Sequence, residues 1–99
     1  MNQHNVRNEQ FNTLYFALPS HVRLQAVAAF QRFLINPHHR SLRRHQLKKN
    51  HRGKHIDGSV SISIGMQYPA LFVFDEQTDT NIWYWIGTHA DYNHFTGVN

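Results

Sequence analysis

Ser59-Val60-Ser61-Ile62-Ser63-Ile64 is the stretch at which the chain changes period. Apolar residues stand at every second position. In an extended chain Val60, Ile62 and Ile64 therefore share one face and the serines the other. That spacing predicts a strand with one buried face. Helical spacing governs the residues before it and strand spacing the residues after it, and the combination predicts an α+β domain.

On the C-terminal side, Ala70-Leu71-Phe72-Val73-Phe74 is a continuous apolar run, the pattern of a central strand. Residues 75–80 are polar and read as a turn. Ile82-Trp83-Tyr84-Trp85-Ile86 is β-branched and aromatic, which predicts a third strand. Strands this close in sequence predict an antiparallel meander. Residues 88–95 read as a short turn or helix crossing one end of the sheet.

On the N-terminal side, Asn8 can cap a helix in which Phe11, Leu14, Tyr15 and Leu18 recur at i, i+3, i+4, i+7. Pro19 stops that helix, because a proline disfavours helical geometry in the residue before it. Ser20 is placed to cap a second helix. Leu24, Val27, Phe30 and Leu34, widened by Ala26 and Phe33, form its expected core stripe, and Asn36-Pro37 ends it. The short connection predicts a helical hairpin, packed on a small antiparallel sheet in two layers. With 99 residues, 40% of them hydrophobic, the chain reads as a single domain spanning residues 1–99.

Charge is distributed unevenly. Residues 10–56 hold no Asp or Glu but nine of the ten Lys and Arg, and five of the six acids follow Ile56. The basic residues concentrate between residues 38 and 54, where Leu42 and Leu47 are the apolar anchors. This segment reads as a loop, or a loop running into an edge strand. A domain polarised in this way fits a polyanion such as nucleic acid, an acidic protein, or a solvated face kept basic for solubility. The absence of cysteine excludes disulfides and thiolate metal sites. No apolar run approaches the ~20 residues of a membrane span, so a soluble cytoplasmic protein is expected, with no membrane partner.

Nine histidines raise the question of a metal. His51 and His55 are four apart, but Arg52-Gly53-Lys54 lies between them and its charges would repel a cation. No zinc spacing is present, so neither a metal nor another cofactor is expected. His4, His21, His38, His39 and His94 read as exposed polar residues. His89 differs. It comes after the third strand in Gly87-Thr88-His89-Ala90-Asp91-Tyr92, where Gly87 permits a sharp exit from the sheet. His45 lies in the basic segment, in Arg44-His45-Gln46-Leu47-Lys48-Lys49. Ribonuclease chemistry without a metal needs a base for the 2′-hydroxyl, an acid for the leaving 5′-oxygen and cations around the phosphate. Histidine suits both proton roles. The alternative for His89 is a polar residue that caps the chain after the strand.

In order and spacing these parts resemble the RelE/ParE toxin superfamily, and within it the histidine-using mRNA interferases, over residues 11–95. The resemblance rests on the hairpin ending in Asn36-Pro37, on Leu42-x-x-His45-x-Leu47-Lys48, on the serine-led strand with residues 68–74 after it, and above all on Ile86-Gly87-Thr88-His89-x-x-Tyr92. It implies a metal-independent, ribosome-dependent endoribonuclease that cleaves mRNA and is neutralised by a cognate acidic antitoxin protein. Carried over by position, His89 and His45 are the expected proton-transfer residues, with Asp91 and Tyr92 in support. Arg43, Arg44, Lys48, Lys49, Arg52 and Lys54 are the expected RNA-binding cations.

Two departures stand out. Family members commonly carry Tyr-Arg where this chain has Tyr68-Pro69, and proline offers neither charge nor a backbone donor. Pro69 also implies an edge position or a strand start. The family usually opens on a strand, for which residues 3–7 are poor material. The alternatives are a catalytically degenerate module that binds RNA or an antitoxin, and a ParE-like topoisomerase inhibitor, which would not need the histidines.

Overall fold

The structure is a computed structural model that describes residues 4–49, 52–65 and 67–98. The alternating stretch forms strand β3 (Val60–Ile64). It lies in one sheet with β1 (His4–Arg7), β2 (His45–Gln46), β4 (Tyr68–Asp75) and β5 (Thr80–Ile86). The strand order is β1-β5-β4-β3-β2. Strands β2 to β5 pair antiparallel with one another, which gives the expected meander, and β4 is central. Pro69 sits second in β4, a strand start rather than an edge.

Two expectations need correction here. The chain does not open on the helical hairpin, because β1 precedes the helices; and β1 runs parallel to β5, so the sheet is mixed rather than antiparallel. Residues 4–7 lack the side chains that mark a strand, and Val6 is about half exposed. They are held instead by backbone pairing and by Asn5. The Asn5 Oδ1 accepts from the Trp83 indole N–H at 2.9 Å and from the Asn81 amide at 3.2 Å.

Helix α1 (Glu9–Phe16) starts at Asn8, whose side chain accepts from the Phe11 N–H, and packs on β5. Helix α2 (Ser20–Ile35) lies against β3. Its N-cap is Pro19, not Ser20, and carries no side-chain cap bond. Its buried face is rotated within the expected stripe. Ala26 and Phe33 face inward as expected, with Phe30 packed against the core, and Val22 and Ala29 join them, whereas Leu24 is 71% exposed and Val27 and Leu34 are about half exposed. Phe33 stacks edge-on against Phe72 and Trp83, which fixes that rotation.

The sheet is covered on both faces. Ala70 and Phe72 join the helix-side core, while Leu71 joins a second cluster with Tyr84, Trp85 and Tyr92. A bulge in β5 makes the second cluster possible. Leu71 pairs with Trp85 but Phe72 pairs with Trp83, so Tyr84 has no partner across the ladder. Trp83 stays with the helices, and Tyr84 and Trp85 both join the opposite cluster. Helix α3 (His89–Thr96) closes that side. The serine side of β3 is consequently not open to solvent: Ser59 is 0% and Ser61 2% exposed. The Ser59 hydroxyl and the Tyr84 phenol are 2.6 Å apart, and that phenol also accepts the Ile56 N–H at 3.0 Å.

Candidate active site in a basic groove

The site is assembled at the β2 side of the sheet. A 3₁₀ turn (Arg40–Leu42) ends in Arg43, a non-glycine residue in the left-handed conformation with φ 47° and ψ 42°. The chain then enters β2, where His45 pairs with Ser61 of β3. The His45 ring lies between two partners. Its Nδ1 is 3.2 Å from the Arg43 carbonyl oxygen, and its Nε2 is 3.2 Å from the Tyr92 hydroxyl. A carbonyl only accepts, so Nδ1 carries the proton. In the neutral ring the Nε2 lone pair then accepts from the phenol.

Tyr92 comes from α3. Thr88 caps that helix by accepting the Asp91 N–H at 3.1 Å, which places His89 in the first turn and Tyr92 one turn on. The His89 and Tyr92 rings stack, with centroids 5.8 Å apart and an interplanar angle of 18°. One tyrosine thus touches both histidines. Burial pushes its phenol above the ordinary value of 10.0, against an opposing hydrogen bond from Ser61, so it stays protonated as a donor at neutral pH.

Beside this cluster opens a groove of about 480 Å³. His45, Tyr92, Lys48, Lys49, Arg52 and His55 line it, along with Leu47 and the end of α3. His55 is buried, and its Nε2 lies 3.0 Å from the Lys48 carbonyl, which ties the two sides of the basic segment together. The segment docks on α3 through a backbone approach. A Cβ on Gly53 would come within 2.4 Å of the Thr96 carbonyl carbon, and one on Gly97 (φ 74°) within 2.8 Å of the Gly53 nitrogen. The Lys54 N–H donates to the Phe95 carbonyl at 2.7 Å.

The expected site residues therefore divide. His45, Tyr92, Lys48, Lys49 and Arg52 converge on the groove, and His89 joins through its stack on Tyr92. Asp91 is exposed on α3, and Lys54 is exposed outside the groove lining. Arg43 lies outside that lining too and meets His45 through its carbonyl. Arg44 turns the other way. Its guanidinium sits over the rings of Phe72 and Phe33, at 5.4 and 6.0 Å, and donates to the Pro37 carbonyl. Burial lowers its pKa. The residues missed from sequence are His55 and the Ser59–Tyr84 pair. The signal for the pair was a serine-led strand in the same small sheet as an aromatic-rich one, with β4 between them, since buried phenols and hydroxyls satisfy each other. His51 lies outside the described residues. Among those residues no three His, Cys, Asp or Glu side chains gather closely enough to hold a metal ion, and no helix is long and apolar enough to cross a membrane.

No protein-family model matches the sequence, and no curated protein matches it. Solved structures do match the fold. A chain of the toxin–antitoxin complex RelBE2 from Mycobacterium tuberculosis superposes with a TM-score of 0.60 at 17% identity, over 89% of this chain and 99% of that one. A chain of the archaeal RelE–RelB complex from Pyrococcus horikoshii gives a TM-score of 0.65 at 10% identity, over 90% and 97%. The chain has the RelE-like fold. In this RelE-like chain the basic groove runs between the edge strand β2 with its adjoining loop and the C-terminal helix α3.

Proposed function

We propose that the chain is the toxin of a toxin–antitoxin pair and that it cleaves mRNA in the basic groove, on the ribosome and without a metal. The observation that carries this reading is the Tyr92 bridge: a bond to His45 Nε2 on one side and a stack on His89 on the other, at the margin of a cationic groove. His45 Nε2 accepts the 2′-hydroxyl proton. The 2′-oxygen attacks phosphorus, the bond to the 5′-oxygen breaks, and His89, in the role of general acid, supplies the proton that oxygen needs. The products are a 2′,3′-cyclic phosphate and a 5′-hydroxyl. Lys48, Lys49 and Arg52 hold the phosphate and offset the charge that builds on it. Arg52 stands in for the arginine that Pro69 replaces. Solved complexes of this fold contain a RelB antitoxin, which supports an antitoxin partner here, and its acidic character would match the carboxylate-free stretch 10–56.

The test is mRNA cleavage in a cell-free translation reaction, read by primer extension. Wild type should produce discrete cuts. His89→Ala and His45→Ala should each lower the rate by ~10²–10⁴-fold. Undiminished cleavage by either variant removes that histidine from the mechanism. Pro69 favours a second reading. It is buried and its carbonyl accepts the Gly87 N–H at 3.2 Å, so this position supplies no cation beside the turn into His89. A degenerate module would bind RNA with steep salt dependence and make no cuts.

A further inference from the structure

We infer that Arg43 is a positioning residue that acts through its backbone: its left-handed turn aims a carbonyl at His45 Nδ1 and so fixes the tautomer that puts the ring's lone pair at Nε2, the nitrogen beside Tyr92. The functional meaning of this role rests on the cleavage reading, but its geometry stands alone. The residues on either side of Arg43 are both tied to the helix-side core. Leu42 is 0% exposed, and Arg44 lies over Phe72 and Phe33. The chain must leave that core and enter β2 within one residue, and Arg43 takes the left-handed conformation that makes the turn. Its own N–H closes the 3₁₀ turn on the Arg40 carbonyl at 3.2 Å. Its carbonyl is thereby left to face the His45 ring. The His45 backbone is held by its pairing with Ser61, and the far side of its ring meets the Tyr92 hydroxyl at 3.2 Å.

A residue with a Cβ adopts this conformation at a cost, and a backbone strained beside a titratable side chain points to a functional demand. The demand is chemical. Neutral imidazole carries one proton, and only the Nδ1–H tautomer leaves a lone pair at Nε2, the nitrogen that faces Tyr92 and the groove. The expected role for the Arg43 side chain was a phosphate contact, yet Arg43 does not line the groove. What reaches the site is its carbonyl.

The experiment compares Arg43→Gly with Arg43→Val in the full chain. Glycine takes a positive φ readily and a β-branched residue does not. The readout is the ring ¹⁵N spectrum of His45, assigned by its loss in His45→Gln, which reports the tautomer whether or not RNA is cut. Wild type and Arg43→Gly should hold the Nδ1–H form, and Arg43→Val should give a mixture. Arg43→Val should also cleave more slowly than Arg43→Gly, by roughly tenfold, short of the ~10²–10⁴-fold loss on removing a base. An Nε2–H tautomer in wild type overturns the inference, even if the valine variant does not fold. Equal cleavage losses in both variants with an unchanged tautomer also overturn it and return Arg43 to a phosphate contact. Tautomers as expected with no cleavage by wild type would uphold the positioning and sink the ribonuclease reading.

Discussion

Tyr92 serves two histidines with two different parts of one side chain, and the parts can be separated by mutation. Tyr92→Phe keeps the ring that stacks on His89 and deletes the hydroxyl that meets His45. Cleavage should fall by roughly tenfold, less than for His45→Ala. A loss as large as that of His45→Ala, in single-turnover rates, would make the phenol itself the proton carrier. The two buried phenols also set an alkaline limit. Burial raises the pKa of both Tyr84 and Tyr92 in the folded chain. Their contribution is therefore complete below the unfolded value of 10.0 and is lost as pH rises through the raised folded values. Thermal melts should show the midpoint dropping above pH about 10, and Tyr84→Phe should flatten that drop. At this scale His45, His89 and Tyr92 could be singled out by the motif that carries the resemblance, but their convergence could not, because His45 lies far from the other two in the chain. The orientation of Arg44 was not, since a run of consecutive cations does not say which one will leave water for an aromatic face.

Helix α2 shows how an element can be recognised and its inward face placed only in part: Ala26, Phe30 and Phe33 turn to the core, but Leu24, Val27 and Leu34 do not. It carries apolar residues on more than one side, so its 3.6-residue period fits two stripes, and the bulkier one looked like the core. The sheet beneath takes small residues, Ala26 and Ala29, between Val22 and Phe33. Leu24→Ser should consequently change stability by no more than about 0.5 kcal/mol. Phe33→Ala should cost about 3–5 kcal/mol, because it empties the space among Phe30, Phe72 and Trp83. Equal losses in denaturant titrations would contradict this packing. The meander was readable from alternation and apolar runs, but the covered serine side of β3 was not, because hydroxyls look solvated until their partners are known. The docking of the basic segment on α3 was equally silent in sequence, although it depends on Gly53. Gly53→Ala forces a Cβ into the Thr96 backbone and should cost about 1–3 kcal/mol by overpacking. Calorimetry would measure it, and an unchanged melting temperature would mean that the contact is loose.

Across the whole molecule, charge and shape divide the work. The groove gathers Lys48, Lys49 and Arg52 on one side of the sheet, and the helices cover the other. RNA affinity should fall linearly in log–log terms with salt, and Lys48→Ala or Lys49→Ala should each lower that slope by about one, the signature of a phosphate contact. An unaltered slope would take that lysine off the RNA. Strand β1 has a further consequence, and it concerns time. Its register joins His4 to Thr80 and Arg7 to Trp83, so the first strand of the described residues must wait for the last. Synthesis runs at ~5–20 residues per second, so several seconds separate the making of this strand from the appearance of its partner. Until then β5 is missing, and α3, which follows it in the chain, cannot dock on the sheet. The sheet therefore cannot close until residue 83 has been made, a delay between the making of β1 and its pairing that the strand order itself imposes.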